Sequence, residues 1–185
     1  MVPESVTSKL VFATVRLDGI RDLLVRGQLS AEPELRQQLA QEFFFHAVGA
    51  TEYLAQLVND RRSLGLTPDK VVVHKVAASL AAVSPSDPLA KCLVGLSANT
   101  AKNPLPVDPY SDDGLIYRLI NYRNEVAHRN ANPFHFRMSA GPRRAYLSLD
   151  PRGSTLGTST VSADADMANM LAVVERGCAL AMSLF

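Results

Sequence analysis

An all-α fold is predicted for this chain, an antiparallel four-helix bundle with short extra helices and a small β-hairpin. Three observations predict it. Four long stretches repeat apolar residues at helical spacing, proline, glycine and capping residues punctuate them, and period-two alternation occurs only around residues 134–149. Long helices with short connections and one apolar face each bury those faces most simply against one another.

The elements follow in order. Val6, Leu10, Ala13, Leu17, Ile20 and Leu24 form one stripe that stops at Gly27, the first helix. Ser30 precedes Glu32, Pro33 and Glu34, an acidic first turn with proline near its start. That turn opens a longer helix through Leu39, Phe43, Ala47, Ala50, Leu54 and Leu57 to about Arg62, closed by Gly65. Thr67, Pro68 and Asp69 read as the cap and first turn of a shorter helix through Val72, Val76 and Leu80, and Asp87-Pro88 starts another around Leu93 and Leu96. These two short helices, about residues 67–97, are read as an insertion.

Pro104, Pro106 and Pro109 make the stretch from Asn103 a loop, since proline lacks a donor and restricts the residue before it. Ser111 caps the next long helix, Asp112 and Asp113 lie in its positive first turn, and Ile116, Leu119, Ile120, Val126 and Ala127 form its buried stripe, which ends near Asn130. Phe134, Phe136 and Met138 alternate with polar residues. After Ala140-Gly141-Pro142 a second run surrounds Tyr146 to Leu149, which together give a hairpin over about 134–149. The Gly/Ser/Thr stretch Gly153 to Ser159 reads as flexible, and Ser162 opens a last helix with Met167, Met170, Val174, Cys178, Ala181 and Phe185 on one side.

At 185 residues, 47% hydrophobic and 20% charged, the chain has the dimensions of one soluble globular domain. A net charge of +1 gives no global pull toward nucleic acid, so any basic patch is local. Cys92 and Cys178 lie in apolar stretches without a CxxC partner and read as reduced core thiols. With no uninterrupted apolar run for a signal peptide or a membrane span, the expectation is a cytoplasmic protein without a membrane partner.

The motif that carries chemistry is Arg123-Asn124-Glu125-Val126-Ala127-His128, placed at the end of a helix. A guanidinium holds an anionic phosphate in a bidentate fork, and an imidazole moves a proton near neutral pH. At 100° per residue Arg123 and His128 stand about 140° apart on an unbroken helix. They converge if the helix end tightens, if the arginine reaches round, or if a second subunit supplies the counterpart. The same spacing suits a structural role, with Arg123 paired to an acid and His128 capping the last carbonyls.

From Gly114 to Leu149 the chain places Arg118, Arg123, Arg129, Arg137, Arg143 and Arg144 against the single acid Glu125, a local excess of +5. Such a face is a footprint for RNA, and equally a solvated sheet edge. Glu125 and His128 also satisfy Glu-x-x-His, but a di-metal site needs a second such motif, and residues 43, 71 and 132 before the other histidines are Phe, Val and Asn. No metal or other cofactor is therefore expected. His46, four residues after Glu42 on helix two, reads as a satisfied helix histidine, the other option being that His46 or Glu52 borders the site; His74 and His135 read as surface residues.

Arg123-Asn124-x-x-x-His128, at the end of the third long helix of a four-helix pattern, resembles the HEPN family of helical domains. The long aromatic-rich helix from Glu34 to Arg62 also suits it. The resemblance implies a metal-independent endoribonuclease in which two protomers join their motifs across a dimer interface, common in toxin–antitoxin and phage-defence systems. Arg123 would orient the scissile phosphate, His128 would transfer the proton, and Asn124 would position the substrate or His128. The alternative it leaves open is a catalytically inactive module binding RNA, a nucleotide or a partner protein. An antitoxin or a nucleotidyltransferase is the partner the family offers. The tyrosine such a transferase modifies, two residues after the histidine, is Asn130 here.

Overall fold

The computed structural model describes residues 4–97, 106, 108–129, 133–137, 144–152 and 157–185, of which 4, 127–129, 135–137 and 144 are described by their backbone alone. The chain is mostly helical. Its long helices are α1 (Glu4–Val25), α2 (Pro33–Arg61), α5 (Asp112–Arg129) and α6 (Ala163–Ser183), and the short ones are α3 (Val73–Val83) and α4 (Pro88–Gly95). Gly27 and Gly65, at φ of 67° and 70°, take the left-handed conformation that lets the chain leave α1 and α2. Ser111 caps α5, its Oγ accepting from the N–H of Gly114 at 3.1 Å, as its place before two aspartates predicts.

The long helices pack in a cycle, α1 on α2, α2 on α5, α5 on α6 and α6 on α1. Their apolar stripes meet in one core that includes Leu17, Ile20, Phe43, Phe44, Leu54, Leu119, Met167 and Met170, all at most 2% exposed. Each such aromatic or aliphatic side chain stabilises the fold by about 1.5–3 kcal/mol on burial. Cys178 lies in that core, where burial pushes its thiol up to about 12, and Cys92 donates weakly to the carbonyl of Gly177 at 3.5 Å. Both thiols are free. Phe185, placed by its spacing on the buried side of α6, is instead 40% exposed at the chain end.

Two elements differ from the sequence expectation. Thr67, Pro68 and Asp69 do not begin α3: Pro68–Lys70 is a separate 3-10 turn, and the chain re-extends at Val72 (φ −125°, ψ 148°) before α3 starts. The last two residues of the stretch expected to be flexible, Thr158 and Ser159, begin a strand. β1 (Phe134–Arg137) pairs antiparallel with β2 (Arg144–Ser148) as the hairpin reading requires, and β2 pairs with β3 (Thr158–Ser162) through an irregular register. Residues 153–156 lie outside the described part. The three-stranded sheet leans on α6 and buries Phe134, Ala145 and Leu147. No helix among the described residues is long and apolar enough to cross a membrane.

Candidate functional site

Tyr122 fixes where Arg123 stands. Its ring, 2% exposed, stacks on Phe44 of α2 with centroids 4.9 Å apart and planes 17° from parallel, and its hydroxyl donates to the carbonyl of Ser148. Burial holds that hydroxyl well above the usual tyrosine range, so it stays a neutral donor. With α5 locked on α2, Arg123 emerges along the seam. Its Nη2 donates to Oε1 of Glu52 and its Nη1 to Oδ1 of Asn124 at 3.2 Å, the arginine side chain 28% and the glutamate side chain 40% exposed.

Arg123 lines two depressions. One, of about 250 Å³, is bounded by Gln41, Glu42, Phe45 and Arg123. The other, of about 240 Å³, is enclosed by α2, α3, α5 and the end of α4. Its polar residues are Thr51, Glu52, His74, Ser97, Arg123 and Asn124, and Val48, Val72, Val73, Leu96 and Ile120 supply apolar wall. Gln41, Phe45, Val48 and Glu52 recur every three or four residues, so a single stripe of α2 serves both. A guanidinium with solvent access, an amide and an imidazole around one concave space can hold an anion and exchange a proton with it.

The expected site residues separate under this geometry. Arg123, Asn124 and Glu52 come together. His128 lies on the backbone of the last turn of α5, and its side chain is outside the described residues. His46 lines neither depression: its ring packs 5.2 Å from Phe12 and 5.6 Å from Phe45, with Nδ1 buried and unpartnered. Burial, then the positive charges of Lys9 and Arg16, hold its pKa below the usual histidine value against the opposing pull of Glu42.

Arg118 corrects the basic-face expectation. It is 0% exposed and bound by Asp166, so it faces the interior and offers nothing to a polyanion. The reason is that α5 is buried on every side from Gly114 to Leu119, and Arg118, one turn after Gly114 and one before Tyr122, meets Asp166 of α6 there. Arg129 ends α5, and the hairpin register sets Arg137 opposite Arg144; their side chains, and all of Arg143, lie outside the described residues.

His74 is what sequence reasoning missed. It is exposed, as its sequence position predicts, but it stands on the first turn of α3 in the wall of the Arg123 cavity. Nothing in the sequence marks it, since 49 positions separate it from Arg123 and only the packing of α3 on α2 joins them. Among the described residues no group of three or more His, Cys, Asp or Glu is placed to hold a metal ion. Compared with known proteins, the chain matches no family model, no curated protein and no solved structure.

Proposed function

We propose that this chain is a metal-independent endoribonuclease of the HEPN type, acting as a homodimer in a toxin–antitoxin or phage-defence setting. The observation that carries the reading is Arg123, a solvent-reachable guanidinium in the α2–α5 seam, five residues before His128 and lining two depressions. The cyclic packing of α1, α2, α5 and α6 supports the bundle that the resemblance implies. An RNA phosphate entering the seam replaces Glu52 as the partner of Arg123, whose fork then stabilises the charge that develops on the phosphoryl oxygens. Asn124 steadies the guanidinium through Nη1. His128 moves the proton at the ribose hydroxyl or leaving oxygen.

An exposed apolar face adjoins the seam and supports the dimer reading. Phe12 of α1 and Phe45 of α2 are 47% and 55% exposed, Val11 and Val15 are exposed beside Phe12 on α1, and Phe45 itself lines the Arg123 depression. A second copy covering this face brings its own Arg123 toward the first.

A second reading, an inactive module that binds RNA or a partner protein, is favoured by one observation: Arg123 is already paired with Glu52, and Arg118 is withdrawn from the surface. Purified protein incubated with mixed RNA in EDTA distinguishes the two. The nuclease reading expects cleavage that Arg123→Ala reduces at least about 100-fold, the scale of a lost transition-state donor. Intact RNA with the wild-type protein, alongside measurable RNA binding, establishes the module instead.

A further inference from the structure

We infer that His74, carried by the inserted helix α3, is a second proton-transfer group of the Arg123 cleft, supplied by the same protomer; the inference rests on the ribonuclease reading above. Arg123, Asn124 and His74 line one cavity of about 240 Å³. Among the residues whose side chains are described, His74 is the histidine that shares a cavity with Arg123, because His46 packs between Phe12 and Phe45 and lines neither depression. The charged groups beside it in that cavity are Glu52 from α2 and Arg123 from α5, while the α4 end contributes Leu96 and Ser97, which carry no charge.

In-line displacement at phosphorus needs proton transfer at two places, the attacking 2′-hydroxyl and the leaving 5′-oxygen, and Arg123 serves neither because its guanidinium does not deprotonate. With a phosphate on Arg123, the neutral imidazole of His74 takes the 2′-hydroxyl proton as the 2′-oxygen bonds to phosphorus. The P–O5′ bond breaks, and the 5′-oxygen leaves with a proton from the imidazolium of His128. The products are a 2′,3′-cyclic phosphate and a 5′-hydroxyl end, and the two histidines finish with their protonation states exchanged. The insertion is thereby part of the chemistry, and the cleft holds its phosphate clamp and its base in one chain.

The test is single-turnover cleavage of a short RNA in EDTA by wild type, His74→Ala, and His74→Ala with added imidazole, with melting temperatures to confirm folding. His74 is exposed, so the variant should melt within a degree or two of wild type. The expected result is a loss of at least about 100-fold in rate with RNA affinity little changed, loss of the acidic limb of the rate–pH profile, and partial recovery with free imidazole. Mixed dimers of Arg123→Ala and His74→Ala chains should recover no more activity than their residual homodimers, because both defects fall in separate clefts. Wild-type cleavage with an equally fast His74→Ala protein overturns this inference and leaves the ribonuclease reading standing. A wild-type protein that binds RNA and never cuts it overturns both.

Discussion

Arg118 and Asp166 are bound to each other wholly out of water: both side chains are 0% exposed, Nη1 of Arg118 donates to Oδ1 of Asp166 at 3.0 Å, and Nη2 reaches Oδ2. Burial works against the charge on Arg118, but its hydrogen bonds and attraction to Asp166 outweigh that and raise its pKa. The pair ties α5 to α6, and Arg118 reaches on to the carbonyl of Ser148 in β2 at 3.4 Å.

Removing one member of such a pair leaves an uncompensated buried charge. Asp166→Ala should therefore lower unfolding free energy by about 3–5 kcal/mol in urea titrations, whereas Arg118→Met with Asp166→Leu should recover most of that loss. A double variant as unstable as the single one would show that the cost lies in packing. The same double variant should keep the wild-type salt dependence of RNA binding, since Arg118 contributes no phosphate contact.

Under the proposed ribonuclease activity, Glu52 is the group that phosphate must displace from Arg123. A partly exposed ion pair is worth about 0.2–1 kcal/mol, so Glu52→Gln should tighten RNA binding by roughly 1.5- to 5-fold in fluorescence anisotropy titrations. Arg123→Ala should weaken it and lower the salt slope by about one. Weaker binding by Glu52→Gln would instead make Glu52 a residue that aims the guanidinium at its ligand.

His46 gives the fold a pH dependence whose sign follows from its surroundings. Unfolded, it takes up a proton with the ordinary value of 6.5; folded, burial and the charges of Lys9 and Arg16 depress that value. Below about pH 6.5 the unfolded chain thus binds more protons, and stability falls with falling pH until the folded value is passed. Above 6.5 the contribution is present in full. His46→Phe, which keeps a ring between Phe12 and Phe45, should lose less stability than wild type between pH 7.5 and 5.5 in urea titrations. Equal losses would remove His46 as the source.

The long helices were legible because each carries an uninterrupted apolar stripe with recognisable ends, and the hairpin because Phe134 to Met138 alternates. β3 was not, since Thr158 to Ser162 has no apolar alternation. Its place comes from β2 and from Tyr110, whose hydroxyl accepts from the N–H of Thr160 at 2.9 Å. Arg118 was misread because its partner lies 48 positions away on α6. The motif pair Arg123 and Asn124 could be read directly, and Glu52 only as one of two optional borders of the site, beside His46. His74 could not, because an insertion folds back on α2 by contacts that leave no periodic signal.

The exposed aromatic face beside the seam determines the last prediction, that the active unit is a dimer built on α1 and α2. Lys9 lies 4.7 Å from the centre of the Phe45 ring and 5.6 Å from that of Tyr53, so a cation already covers part of this apolar surface, while Phe12 and Phe45 stay open. An isologous interface centred there places α2 of each protomer near the other's α2, and with it the depression bounded by Phe45 and Arg123. Such an interface should bury more than roughly 1,000 Å². Phe12→Glu and Phe45→Glu set like charges against each other across the two-fold axis. Both side chains are about half exposed in the single chain and touch His46 with the rest, so the substitutions should lower the melting temperature of the isolated protomer only modestly. Sedimentation velocity should show wild type as a dimer and both variants as monomers, with RNA cleavage lost alongside. Monomeric variants that still cleave at the wild-type rate would confine the site to one chain, with Arg123 and His74 sufficient in a single cleft.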